Sequence, residues 1–178
     1  MQKVKKELKM MLFFKKHIPL KMDIAWIHCP IGTLKLEGDE QGLSAVSFID
    51  EDIPETTVIS EVLVDACRQL KEYFRNERTS FALQLKPEGT HFQTKVWKEL
   101  QTIPYGKTTS YLLMSKKLGD PKVIRAAASA NGKNPISIII PCHRVIGSDG
   151  SLTGYAGGLS RKKWLLEHES PVTQGSLF

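Results

Sequence analysis

Between residues 24 and 49 apolar side chains recur at every second position, and beyond residue 90 they recur at helical spacing. A period of two belongs to a pleated strand and a period near 3.6 to a helix. The chain must therefore combine a sheet-bearing first part with a helical second part, and the change falls at Lys86-Pro87-Glu88-Gly89. In the first part Ile24, Trp26, Leu34, Leu36, Val46 and Phe48 mark short strands, interrupted by Pro30, Gly32, Gly38 and Gly42. An acidic loop follows over residues 50–56. A helix over about 58–75 carries Val62, Ala66, Leu70 and Phe74 as one stripe, with Cys67 beside it as a small buried hydrophobe. Phe81, Leu83 and Leu85 predict one more strand.

In the second part Thr90 and Gln93 have capping-box spacing in front of a helix bearing Phe92, Val96 and Leu100. Pro104-Tyr105-Gly106 stops it. A short helix from about Ser110 to Leu118 ends at Gly119, Asp120 caps the next, and Pro121 suits its first position. This second short helix, about 121–131, has almost no side-chain bulk (Ala126, Ala127, Ala128, Ser129, Ala130), yet Arg125 projects from it. Such a pair is a helix-turn-helix candidate. Its small residues suit either close approach to a partner or tight interior packing. Ile138-Ile139-Ile140 predicts a buried strand. Ser160 is expected to cap a last helix, with Leu159 and Trp164 at staple spacing.

Charge divides the same way. The net +6 resides in residues 1–21, where seven lysines face the single acid Glu7. Residues 22–90 sum to −7 and residues 91–178 to +7, which points to a polyanion partner for the second part or to unspecific solvated charge. The leader lacks the apolar core and cleavage site of a signal peptide. It reads as a dispensable, poorly ordered extension or as an upstream start, with a basic nucleic-acid-binding arm as the alternative. No apolar run reaches the roughly 20 residues that span a bilayer. Three cysteines and no export signal suit a reducing cytoplasmic setting rather than a disulfide scaffold.

The chemistry concentrates in Pro141-Cys142-His143-Arg144-Val145. A cysteine flanked by histidine and arginine is either a low-pKa nucleophile or a bystander. Metal is rejected, because no ligand pair has CxxC or HxxxH spacing and His28-Cys29 stands alone. Gly154-Tyr155-Ala156-Gly157-Gly158 lacks the lysine-serine continuation of a phosphate loop, so its backbone is expected to face a flat ligand. Glu169 falls on the apolar side of the last helix and needs a partner there unless it is solvated.

Ile140-Pro141-Cys142-His143-Arg144-Val145 strongly resembles the active-site signature of the O6-alkylguanine-DNA alkyltransferases. Phe92-Gln93, Val96-Trp97, Ile103-Pro104-Tyr105-Gly106, Thr109-Ser110-Tyr111, Asn134-Pro135 and Gly154 to Glu169 follow that family's order and spacing. The resemblance covers about residues 24–170. It implies an α/β ribonuclease H-like domain over 22–86 and a mainly helical DNA-binding alkyltransferase domain over 90–170. The latter would carry a winged-helix-like helix-turn-helix, and residues 171–178 would form a tail.

The implied activity is irreversible, single-turnover transfer of an alkyl group from O6 of guanine, and from O4 of thymine, to Cys142. The protein would act as a monomer on double-stranded DNA, with no cofactor and no metal. His143 would be the base through a water, Glu169 its orienter, and Asn134 the organiser of the turn. Tyr111 would aid nucleotide rotation and reprotonation of the guanine. Arg125 would fill the gap in the stack, with Ala126, Ala127, Ser129 and Asn131 on the DNA face. The backbones of Cys142 and Val145 would read the guanine edge, and Tyr155, Ala156 and Gly157 would wall the pocket. Asn131 and Ala156 stand where some members carry an apolar residue and a serine. The competing readings are a non-reactive lesion-binding relative, which would lack the cysteine, a helix-turn-helix regulator and a cysteine hydrolase.

Overall fold

A computed structural model describes residues 22–170. The leader over 1–21 and the tail over 171–178 lie outside the described residues.

Three strands form an antiparallel meander: β1 (Asp23–Cys29), β2 (Gly32–Asp39) and β3 (Gly42–Ile49). The register aligns Ala25, Leu36 and Val46 across the sheet, and Ile27, Leu34 and Phe48 next to them. Ala25 and Ile27 are buried, whereas Ile24 is 42% exposed. The inward face of β1 is thus the one opposite to Ile24 and Trp26. Both faces of that strand are apolar, so alternation alone does not choose between them. Helix α1 (Glu61–Phe74) packs on the sheet through Leu63, Ala66, Cys67, Leu70 and Tyr73. Its stripe is rotated slightly from the one centred on Val62 and Phe74.

The Phe81–Leu85 segment is extended but forms no strand. Its ladder is a single bridge, Leu43 to Leu85. The Gln69 side chain replaces the missing pairing by bonding both backbone groups of Ala82, at 2.9 and 3.0 Å. Gly42, at φ 133°, is required there, since a Cβ would lie 2.5 Å from the Gln84 carbonyl.

Helix α2 (His91–Leu100) starts at the expected capping box, with both Thr90–Gln93 bonds formed. After β4 (Thr109–Ser110) come α3 (Tyr111–Lys117) and, past Gly119 at φ 103°, a 3₁₀ turn over Pro121–Val123 capped by Asp120. Helix α4 (Ile124–Gly132) follows. Trp97 Nε1 donates to the Ala130 carbonyl at 2.9 Å and fixes α4 to α2. A second 3₁₀ turn (Cys142–Arg144), β5 (Val145–Ile146) and α5 (Leu159–His168) complete the chain.

Further expectations fail at Ile138–Ile140 and at the start of α5. Ile138–Ile140 is buried but wound into a turn rather than a strand, because residues 136–142 bond locally: Ile140 N to Ile136 O at 3.0 Å, Cys142 N to Ile140 O at 2.8 Å. Helix α5 is capped not by Ser160 but by Gly158, at φ 87° and ψ 154°, an opening that only glycine adopts easily. Leu159 therefore begins the helix and is 48% exposed, so it staples nothing.

The buried residues of both parts form one continuous core. The joint that matters is the free edge of β3. Val46 N donates to Pro135 O, and Ser137 N to Val46 O, each at 2.9 Å. The sheet edge thereby holds the start of the turn that carries Cys142.

Candidate active site

Asn134 builds the turn. Its Nδ2 donates to the carbonyls of Ile140 (2.8 Å) and Ile136 (3.3 Å), and its Oδ1 accepts from Ile136 N (3.1 Å). These bonds force Ile138 to φ 71°, a left-handed conformation that costs a β-branched residue roughly 1–3 kcal/mol. The strain persists because Ile136, Ile138 and Ile140 are all locked in the core. The winding delivers Cys142, 4% exposed, with its Sγ 3.1 Å from Asn134 Nδ2.

His143 and Glu169 meet as the sequence suggested. His143 is fully buried, and its Nε2 lies 2.8 Å from Glu169 Oε1. The carboxylate has four further donors: Tyr73 OH at 2.9 Å and Arg144 Nη2 at 3.0 Å on Oε1, and Arg144 Nε at 2.7 Å and Gly106 N at 3.3 Å on Oε2. Burial pushes the Glu169 pKa up, but the hydrogen bonds from His143 and Arg144 and the charge of the Arg144 guanidinium outweigh it and hold it at about 2. Burial lowers the pKa of His143, helped by Arg144 and Lys162 against Glu169. A neutral imidazole facing an ionised carboxylate must carry its proton on Nε2. Nδ1 then carries a free lone pair, and it has no hydrogen-bond partner among the described residues.

The cysteine itself departs from expectation. Arg144 does not face it but turns to Glu169 and to the Ile103 carbonyl, at 2.6 Å. Burial raises the Cys142 pKa, opposed by the Asn134 bond and by the charge of Lys162. The resting group is thus a thiol, and it needs a base. Lys162 is a fully buried lysine with two carbonyl partners, Val145 at 2.7 Å and Thr153 at 2.6 Å.

A cavity of about 450 Å³ opens between α4 and the 153–156 loop, lined among others by Tyr111, Arg125, Ala128, Thr153, Tyr155 and Ala156; Cys142 and His143 are not among its lining residues. Arg125, Ala126 and Ser129 are exposed on α4, as a nucleic-acid face requires. Ala127 and Asn131 are not: both are buried, at 0% and 2% exposure. In a helix this short, positions 127, 130 and 131 share the inward face. Asn131 Nδ2 instead bonds Tyr111 OH and the Cys142 carbonyl, each at 3.4 Å. Val145 is buried, and Gly157 does not line the cavity. A Cβ on Gly157 would lie 2.8 Å from Phe48 and 2.9 Å from Tyr155, so its smallness serves packing of the wall against the sheet.

Among the described residues no cluster of three or more His, Cys, Asp or Glu side chains is placed to hold a metal, and no helix is long and apolar enough to cross a membrane. Tyr73, Arg144 and Lys162 were missed as site residues. Arg144 was signalled by its place in the motif, while Tyr73 and Lys162 carry no local signature.

Residues 23–87 match the ribonuclease-like domain of 6-O-methylguanine DNA methyltransferase, and residues 91–171 match its DNA-binding domain. The chain belongs to this family. A methylated-DNA–protein-cysteine methyltransferase of Methanosarcina acetivorans is 48% identical over 153 residues, covering 83% of this chain and 98% of the relative. Its counterpart in Mycobacterium leprae is 45% identical, covering 85% and 97%. The solved O6-methylguanine methyltransferase of Mycobacterium tuberculosis superposes with a TM-score of 0.75 at 41% identity, covering 86% of this chain and 97% of that one. The OGT of that organism solved in complex with DNA gives 0.75 at 44% identity, covering 82% and 92%. DNA repair by alkyl transfer to a cysteine is the activity that family membership brings, and DNA is the partner. The small antiparallel sheet with its helix and the helical DNA-binding part agree with the ribonuclease-like and helix-turn-helix expectations.

Proposed function

We propose that Cys142 accepts the alkyl group, from O6 of guanine or O4 of thymine in duplex DNA, once per chain. The lesion is stacked inside the duplex, so the nucleotide must rotate out before any side chain reaches it. The exposed Arg125 takes its place in the stack, and the cavity under Tyr155 and Ala156 receives the base. The Cys142 thiol loses its proton through a water to His143 Nδ1. Sγ attacks the alkyl carbon, the S–C bond forms, and the C–O bond breaks with its electron pair leaving on the base. Tyr111 returns a proton to the departing ring and recovers one by way of solvent from His143. Thiolate is the best nucleophile a protein has for an alkyl carbon, and the thioether it forms has no route back. The residues named for relay and pocket all lie on one chain, so a monomer is enough to supply them.

The observation that carries this reading is the 2.8 Å contact between His143 Nε2 and Glu169 Oε1. Glu169, ionised and bonded to His143 Nε2, leaves the base lone pair on Nδ1. The test is intact mass after incubation with a duplex holding one O6-methylguanine. Each chain should gain one methyl group, mapped to Cys142, and Cys142→Ala should gain none while still binding the duplex. Methyl on Cys29 or Cys67, or more than one lesion repaired per chain, would overturn the proposal.

A further inference from the structure

The reaction as drawn uses nothing from the sheet-bearing half of the chain, yet one side chain of that half reaches its centre. Tyr73 lies in the last turn of α1, fully buried. Its hydroxyl donates to Glu169 Oε1 at 2.9 Å, the same oxygen that accepts from His143 Nε2 at 2.8 Å. Its ring is boxed by Phe81 (centroids 5.7 Å), Tyr105 (6.2 Å) and His168 (5.0 Å), and its carbonyl accepts from His168 Nε2 at 2.9 Å. The hydroxyl therefore has one place to point.

We infer that Tyr73 is a positioning residue of the relay: by donating to Glu169 Oε1 it withholds charge from His143 and keeps that imidazole neutral. This rests on the proposed role of His143 as base. A carboxylate beside a histidine stabilises the protonated ring and raises its pKa. A ring protonated on both nitrogens has no lone pair for the Cys142 proton. Each extra donor on Oε1 spreads the negative charge and weakens that pull.

Among the described residues few groups face the pair. Arg144 bonds both carboxylate oxygens, Lys162 of α5 acts on His143 through its charge, Tyr105 and Tyr73 approach Glu169, and Cys142 precedes His143. Of these, Tyr73 is the neutral side chain bonded to the oxygen that His143 uses. Its phenol stays protonated throughout the working range, because burial and the Glu169 charge push its pKa well above the ordinary tyrosine value. It is a permanent donor.

The experiment is the pH profile of single-turnover transfer from an O6-methylguanine duplex, for the parent protein and for Tyr73→Phe, which keeps the packed ring and removes only the oxygen. Without that donor His143 holds its proton to higher pH. Only the part of this bond that differs between protonated and neutral His143 moves the ring's pKa, roughly half to one pH unit, so the acid limb of the profile should move up by that amount. At a pH on that limb the rate should fall roughly 3–10-fold.

Tyr105→Phe, whose hydroxyl donates to the His168 carbonyl at 3.2 Å instead, should leave the limb in place. NMR titration of the His143 ring in unreacted protein reads the same shift without DNA. In a Glu169→Gln background Tyr73→Phe should move neither limb nor ring. A slower plateau with an unmoved limb and an unmoved His143 titration would make Tyr73 merely structural and overturn the inference. A parent that transfers nothing to Cys142 would instead overturn the reaction on which it rests.

Discussion

Glu169→Gln tests the relay most severely, because an amide cannot satisfy this site in either orientation. Five hydrogen bonds converge on two oxygens. With NH₂ at the Oε1 position the amide faces the N–H of His143, the O–H of Tyr73 and one N–H of Arg144. With NH₂ at the Oε2 position it faces Arg144 Nε–H and Gly106 N–H. The least costly relief is for His143 to move its proton to Nδ1 and accept from the amide through Nε2. That tautomer has no lone pair toward Cys142. Losing the base should slow transfer about 10²–10⁴-fold, as when the orienting carboxylate of a serine hydrolase becomes an amide.

Stability should fall too. Arg144, its side chain 8% exposed, loses its counter-charge, and breaking a buried pair costs about 3–5 kcal/mol. The carboxyl pKa leads to a similar figure: about 2 in the fold against 4.5 in a free carboxyl corresponds to ~3 kcal/mol. A depressed folded pKa contributes stability above the unfolded value, and that stability drains away as pH falls from 4.5 toward 2. His143 acts in the same direction. Its folded pKa lies below 6.5, so the unfolded chain binds the extra proton and stability drops as pH falls through 6.5. The parent should therefore be acid-labile, and Glu169→Gln should be less stable near neutrality but flatter below pH 4.5. Urea denaturation across pH, quenched single-turnover transfer and duplex binding measure the three quantities. Duplex affinity should stay near the parent's, since Glu169 is buried. A glutamine variant equal to the parent in rate and stability would refute the relay.

Arg125→Ala should slow repair of duplex DNA far more than reaction with free O6-alkylguanine base, which needs no rotation; parallel rate measurements on both substrates check this, and equal losses would remove its role in the stack. Lys162→Met should strand the Val145 and Thr153 carbonyls and take a positive charge from the thiol. It should cost roughly 1–3 kcal/mol in denaturant unfolding and raise the pH at which Cys142, followed by peptide mass, reacts with iodoacetamide.

Much of this site is legible in the sequence. Thr90 with Gln93, Gly119 with Asp120 and Pro121, and Glu169 on an apolar face are local signals, because one capping bond or one misplaced charge is decided within a turn of helix. What stayed hidden depends on long-range closure. Three isoleucines in a row read as a strand; only Asn134 and the β3 edge at Val46 make them a turn. Ala127 and Asn131 read as exposed because the inward face of α4 is set by Trp97, more than 30 positions away. Tyr73 looks like any core aromatic, since its partner lies 96 residues further along the chain. Arg144, adjacent to the cysteine in sequence, carries a charge that would favour a thiolate there, but the 3₁₀ turn sends it to Glu169 and the Ile103 carbonyl.

The placement of Arg144 away from Cys142 bears on how a single-use protein avoids wasting itself. A thiolate exposed at rest would react with any soft electrophile and with oxidants, and each such event would be final. Burial leaves Cys142 at 4% exposure and raises its pKa, so the resting protein holds a protected thiol. In the proposed relay, deprotonation falls to a neighbour, His143, whose partner Glu169 at the end of α5 is bonded by Arg144 on the turn and by Tyr73 on α1. Reactivity is then a property of the assembled site with a base docked above it, not of the cysteine. On that argument the sheet-bearing half, which contributes Tyr73 and the β3 edge that anchors the Asn134 turn, takes part in deciding when the one available reaction is used.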